Sequence, residues 1–288
     1  MRTAVLGALL FSSVAQGPAV DVDAAREVKT LAGNGNVQSI RVASWNIDHG
    51  SHLDTIAAEL RQNPAGLYLL QEVDWNDARS DERDVAGELA KRLHLNFSYA
   101  IEFEELSQER GHPAFIGQAT LTSLPLRKSR ILRFQRQSGF WKPRGWLPST
   151  LPLMQRRLGG RVALVTELEF ASRPLVVYNA HLESRSMGLI QAAQLDEILE
   201  DLKRYPPNTA VLIGGDLNTK YLPSIFLRKL EQNGFHSATG ERIERTHTIA
   251  MALDWIFARG PLKLSAGKVR RNLKGSDHYP VYAQLAAE

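Results

Sequence analysis

Apolar runs of strand length in this chain keep ending on carboxylate, amide or imidazole side chains. "SIRVASWN" (Ser39 to Asn46) alternates Ile40, Val42 and Ser44 against Arg41, Ala43 and Trp45 and delivers Asn46 at its end. "GLYLLQE" closes on Gln71 and Glu72, "PLVVYNAHL" carries His181, and "TAVLIGGDLN" ends on Asp216 and Asn218. Alternation or a short apolar run bounded by turn residues is the signature of a half-buried or buried strand. Any one polar ending is an ordinary turn residue. Their repetition needs another explanation, and strands that present their ends to one place provide it.

What lies between the strands sets the fold class. After Asn46, Ser51 with Asp54 has the spacing of a capping box, and Leu53, Ile56, Ala57 and Leu60 fall at helical intervals before Asn63-Pro64. Asp84 to Leu93 and Met187 to Arg204 read as further amphipathic helices. Arg161 to Phe170 and Pro174 to Leu182 flank the turn "ASRP" as a hairpin, and Ala114 to Leu124, Leu253 to Arg259 and Pro280 to Ala286 complete the strand set. Strands joined both by hairpins and by helices require mixed sheets. Many strands with few helices require two sheets packed face to face, helices outside. The expectation is an α/β fold, a four-layer αββα sandwich of two mixed β-sheets flanked by helices.

The 288 residues, 43% of them hydrophobic, suffice for one domain with a full core. There is no cysteine, so any metal is held by oxygen or imidazole. Residues 1–15, with Arg2 followed by an apolar run and small residues at Ser13 and Ala15, read as a signal peptide too short to span a bilayer. A secreted or periplasmic location is expected, with a cytoplasmic one as the alternative. Residues 16–38 read as a linker and 39–288 as the domain. From Arg127 to Arg161 there are ten Lys or Arg residues and no Asp or Glu, with Phe134, Phe140, Trp141 and Trp146 interleaved. Such a run favours an anionic partner. Arg130, Arg133, Arg136 and Trp141 are the expected substrate-binding residues within it.

In chain order the polar strand ends are Asn46 and Asp48 in "SWNID", Glu72 in "LQEVD", His181 in "YNAHLE", Asp216 and Asn218 in "IGGDLN", Asp254 in "LDWIF", and Asp277 and His278 in "GSDHYP". This series, from about Ile40 to Leu285, resembles the endonuclease/exonuclease/phosphatase superfamily, which includes deoxyribonuclease-I-like nucleases, neutral sphingomyelinases and inositol polyphosphate phosphatases. The resemblance implies the αββα sandwich, a divalent ion, usually Mg²⁺, and hydrolysis of a phosphodiester or phosphomonoester. The residue types suit that chemistry on their own terms. Glu72, Asn46, Asp277 and Asp48 are oxygen donors for a hard cation, with Mn²⁺ and Ca²⁺ as alternatives to Mg²⁺.

By the resemblance, Asp216 orients or deprotonates the attacking water and Asn218 donates to it or to the phosphate. His278 contacts the phosphate, Asp254 holds the His278 imidazole, and His181 serves the phosphate or leaving group. One departure is Gln118, in "GQA", where many relatives carry an asparagine. Tyr178 and Tyr279 read as core or cleft-wall residues, His247 has no motif behind it, and His49 reads as a surface or loop residue.

The leading reading is a metal-dependent phosphodiesterase or nuclease acting on an anionic phosphate ester. A sphingomyelinase-like or phosphoinositide-directed lipid phosphoesterase, and a non-catalytic binding module of the same fold, are the alternatives. The basic, aromatic run suits nucleic acid or an anionic membrane surface equally. No motif calls for an obligate protein partner.

Overall fold

The computed structural model describes residues 20–106, 112–143, 157–220, 223–240 and 242–288. The expected signal peptide, the start of the expected linker, and Arg144, Trp146 and Arg156 of the basic run lie outside them. The first sheet places side by side Arg26–Val28 (β1), Asn96–Glu105 (β4), Ala114–Thr122 (β5), Leu67–Trp75 (β3), Ser39–His49 (β2), Val281–Ala287 (β14) and Leu262–Val269 (β13), with Arg157–Gly159 (β7) also paired to β4. The second runs His236–Ser237 (β11), Asp254–Arg259 (β12), Ala210–Asp216 (β10), Arg173–His181 (β9), Val162–Phe170 (β8) and Leu126–Arg133 (β6). The β2–β3 and β9–β10 pairs are parallel and the rest antiparallel, so both sheets are mixed.

Period-two alternation divides the apolar residues into three seams. Along β2, Ile40 and Val42 enter the seam between the sheets, while Ala43, Trp45 and Ile47 pack outward against Leu53–Gln62 (α1) and Val85–Leu93 (α2). Along β10, Leu212 faces the other sheet, while Val211 and Ile213 pack against Leu189–Asp201 (α3) and Pro223–Gln232 (α4). Each buried Leu or Phe contributes about 1.5–3 kcal/mol, so every layer is held by the face it presents. The result is the expected αββα sandwich. Among the described residues no helix is long and apolar enough to cross a membrane.

Three local expectations need correction. The stretch read as a linker, residues 16–38, contains β1, which extends the first sheet, and Arg26 pairs with Asp84 and stacks on Trp75. The Ser51–Asp54 capping box does not form: the α1 N-cap is His52 without a side-chain bond, and the Ser51 hydroxyl donates to the Asp48 carbonyl. Strands β4, β6 and β13 were absent from the expected set.

Candidate active site

Three site residues stand abreast on neighbouring strands of the second sheet. Asp216, at the end of β10, is in register with His181 on β9 and with Asp254 on β12. Each continues the alternation of the face turned toward the first sheet, following Leu212 and Gly214, Val177 and Asn179, and Ile256. Parallel pairing puts the β9 and β10 carboxyl ends at one edge, and antiparallel β12 contributes its beginning there. Gly215 is required at this point: its φ is +136°, and a Cβ would come within 1.9 Å of the Ala180 carbonyl oxygen.

The first sheet supplies its residues through irregularity. Register shifts interrupt β2 against β3 between Asn46 and His49, and β3 against β5 between Leu70 and Val73. Asp48, His49 and Glu72 all have positive φ (45°, 66° and 50°). Uninterrupted alternation would put Glu72 on the helix side with Tyr68 and Leu70. The bulge turns it into the cleft instead. There Asn46 Nδ2 donates to Glu72 Oε1 at 3.1 Å and to Asp216 Oδ2 at 3.3 Å, bridging the two sheets. The Asn46 Oδ1, expected as a metal donor, accepts from the Asp48 N–H at 3.1 Å.

The loop before β14 brings the remaining pair. Ser276 donates to the Asn46 carbonyl, and the Trp45 indole donates to the His278 carbonyl at 2.9 Å, fixing the loop against β2. His278 Nδ1 lies 2.8 Å from Asp254 Oδ2, and its Nε2 faces Asp216 Oδ2 at 3.8 Å. Asp277 turns away, to His247 Nε2 at 3.1 Å. Because the Ile249 N–H donates to His247 Nδ1, the proton of neutral His247 sits on Nε2 and is given to Asp277. The His247 and His278 rings meet edge to face with centroids 4.6 Å apart.

Electrostatics sort these groups by role. Burial by itself would lower the His278 pKa, but the Asp254 charge and hydrogen bond, with Asp216 and Glu72, raise it to about 10. Burial pushes the Asp254 carboxyl up to about 6 against the pull of His278. The pair is therefore imidazolium and carboxylate at neutral pH. Burial would likewise raise Glu72, yet the His49 and His181 charges hold it below the usual carboxylate range. Asp48 is raised, chiefly by burial and then by the charges of Asp277 and Glu72 against the lowering influence of His49. Beneath His181, Glu102 Oε2 lies 3.3 Å from Nδ1, and Glu102 also pairs with Arg161.

The sequence profile of the endonuclease/exonuclease/phosphatase family matches residues 43–278. The chain belongs to that family. Among solved structures, an endonuclease/exonuclease/phosphatase from Beutenbergia cavernae superposes with a TM-score of 0.63 at 17% identity, covering 87% of this chain and 72% of that one. TDP2 from C. elegans gives 0.55 at 21% identity over 86% and 75%, and humanized D. rerio TDP2 gives 0.58 at 18% over 87% and 100%. At these identities the likeness is one of fold. No curated protein sequence matches.

Members of this family are divalent-metal-dependent phosphoesterases, and the donor set here fits such an ion. Asp48, His49 and Glu72 present donor atoms to one another, and Asp48 and Glu72 are partly open to solvent, whereas Asp277, expected as a metal ligand, groups with His247 and His278 instead. Asn218 is held by its backbone N–H on Asp216 Oδ1 and by its Nδ2 on the Leu182 carbonyl. Gln118 is buried and donates to the Val162 carbonyl, a bond between the two sheets. Tyr178 is a core residue whose hydroxyl donates to Asp201.

The basic run departs most from the substrate-binding expectation. Arg130 is on the outer face of the second sheet, paired with Asp201 and beside the Tyr205 hydroxyl, and Arg133 pairs with Asp23. Arg127, Arg157 and Arg161 pair with Glu169, Glu105 and Glu102. A segment free of acids in sequence is matched by acids brought from other strands and α3. Arg136 is fixed through its backbone N–H on Glu197. Trp141 packs against Phe103 and under the guanidinium groups of Arg157 and Arg185. Sequence reading missed Glu102, His49 and His247. Glu102 was findable, because Phe97, Tyr99 and Ile101 alternate with it.

Proposed function

We propose that the chain hydrolyses a phosphodiester, with Asp216 as the group that orients and deprotonates the attacking water. The observation that carries this reading is the convergence on one Asp216 oxygen, Oδ2, of Asn46 Nδ2 at 3.3 Å, His181 Nε2 at 3.7 Å and His278 Nε2 at 3.8 Å. The His278 gap exceeds a hydrogen bond and leaves its Nε2 to meet a phosphate oxygen, whereas His181 Nε2 lies 2.9 Å from Arg161 Nη1, so that guanidinium reaches the same place. Asp254 keeps His278 protonated, so it donates to the charge that grows on the phosphate oxygens. Glu102, 3.3 Å from Nδ1, and Arg161, whose Nη1 lies 2.8 Å from Nδ1 and 2.9 Å from Nε2, hold the His181 ring beside Asp216, where the imidazole and guanidinium together serve the phosphate or leaving oxygen. Glu72 and Asp48 would hold a divalent ion, which would supply charge neutralisation at the phosphate, while Asp277, expected as a third ligand, is turned to His247.

A nucleic-acid phosphodiester is the proposed substrate class, and the sequence of residues 1–15 supports export. The lipid reading draws on exposed Phe140, Met187 and Leu189, which are 45%, 72% and 81% accessible. The test is a panel with Mg²⁺ or Mn²⁺: a bis-aryl phosphodiester, plasmid DNA, RNA, sphingomyelin and phosphoinositides. Hydrolysis of the aryl ester and a nucleic acid is expected, with Glu72→Gln and Asp216→Asn each slower by at least about a hundredfold. Full turnover in excess chelator, or by either variant, contradicts the assignment. Turnover of a lipid alone overturns the substrate class.

A further inference from the structure

The bulges that expose Glu72 also bring a histidine to it. His49 Nε2 lies 3.3 Å from Glu72 Oε2 and 3.9 Å from Asp48 Oδ1, and one donor atom from each of the three residues falls within 4.8 Å of the others. Donors sharing one ion at bond lengths of about 2.0–2.2 Å stand roughly 3–4 Å apart, so these gaps are of the right size. The group is open on one side: the side chains of Asp48, Glu72 and His49 are 42%, 25% and 18% accessible.

Behind the ring the arrangement is closed. Nδ1 is buried and faces Oδ1 of Asp74 at 3.5 Å. Asp74 is fully buried and is gripped by Arg79 through Nε at 2.7 Å and Nη2 at 2.9 Å. Arg79 is anchored in turn by Glu105 at 3.0 Å. Histidines that bind metals characteristically turn the other ring nitrogen to a carboxylate, which fixes the tautomer and strengthens the donor. Asp74 occupies that place, and Arg79 holds it there. An imidazole needed only to neutralise Glu72 would not require a buried carboxylate behind it.

We propose that Asp48, His49 and Glu72 form a mixed nitrogen and oxygen site that takes a transition-metal ion such as Mn²⁺, Co²⁺ or Zn²⁺ in preference to Mg²⁺. The inference rests on the reading of Glu72 as a metal-binding carboxylate and adds a nitrogen ligand to it. Imidazole suits these ions, whereas Mg²⁺ and Ca²⁺ prefer an all-oxygen shell. Asp74 and Arg79 are positioning residues that act through His49.

The test is titration of the full chain with Co²⁺, followed by calorimetry, by visible absorption and by proton NMR of the paramagnetic complex. A ligating His49 gives a strongly shifted, solvent-exchangeable imidazole N–H resonance in the wild type. His49→Gln and His49→Ala are expected to abolish that resonance and to weaken Co²⁺ about 10- to 100-fold, with Mg²⁺ affinity changed by less than about threefold. Asp74→Asn keeps the ligand, and a Co²⁺ loss of about 10- to 100-fold is expected of it as well. Equal Co²⁺ affinity in wild type and the folded His49 variants, or equal losses for Co²⁺ and Mg²⁺, overturns the proposal. Should the His49 variants fail to fold, absence of the exchangeable resonance from the wild type overturns it equally. Hydrolysis is scored separately: a Co²⁺ site with nitrogen ligation in a protein that cleaves no phosphodiester refutes the proposed function and leaves this site standing.

Discussion

Asp254 and His278 show how far a single side chain's role depends on its neighbours. A lone buried histidine loses its proton, because burial penalises the charged form. His278 keeps its proton because Asp254, Asp216 and Glu72 surround it. In chelator-treated protein, NMR is expected to show the His278 ring protonated throughout pH 6 to 8. Asp254→Asn removes the largest opposing charge and should bring its titration down to about 6.5 or below. The sign is fixed by the raised pKa: the ion pair is intact at neutral pH and is lost as pH rises through about 10. A His278 that titrates near 6.5 in the wild type would remove the basis for a cationic phosphate contact. The motif residues were legible one by one, since each closes, opens or directly precedes an apolar run. His49 and His247 were not, because their partners Asp74 and Asp277 are reached through a bulge and a loop whose geometry no local pattern announces.

Burial of the strand faces made most elements legible, although β4, buried along nearly its whole length, was absent from the expected set. Strands β2, β3, β9 and β10 alternate or are apolar throughout, and they carry most of the site. Strand β6, "LRKSRILR", lies at an edge with much of its length partly exposed, so charged residues break the alternation. Strand β13 is interrupted by a register shift between Ser265 and Lys268. Missing β6 also turned its arginines into an apparent ligand surface. Asp201, nearly buried on α3, accepts from both Arg130 and the Tyr178 hydroxyl. Arg130→Ser is therefore expected to lower stability by about 1–3 kcal/mol, the scale of a hydrogen bond to a charged group, with Tyr178 and Arg204 still holding Asp201. Denaturant unfolding measures that loss. Turnover of aryl ester and polymer should change in equal proportion, and a selective fall on the polymer would restore Arg130 to substrate capture.

At the scale of the molecule, the apolar seam joins the sheets along their length and the polar cleft joins them at one end. Leu69 and Val42 of the first sheet meet Leu212 and Val177 of the second in that seam, whereas Asn46 spans Glu72 and Asp216 in the cleft. With no cysteine in the chain, no disulfide can reinforce either connection. An ion bound by Glu72 and its neighbours exists only when β2 and β3 are assembled, so its binding energy adds to folding. At a free ion concentration a thousand times Kd the gain is about 4 kcal/mol. For a chain of this size, each kcal/mol corresponds to roughly 2–4 °C in Tm, so saturating Mn²⁺ should raise Tm by about 8 °C or more. Glu72→Gln should lose most of that increment. Arg130→Ser should keep it in full while lowering Tm with and without the ion, because Arg130 acts on the outer face of the second sheet and shares no partner with the cleft. Calorimetry of both variants with and without Mn²⁺ makes the comparison. An unchanged increment in Glu72→Gln would mean that the ion is held elsewhere, and a diminished one in Arg130→Ser would mean that the outer face and the cleft are energetically coupled.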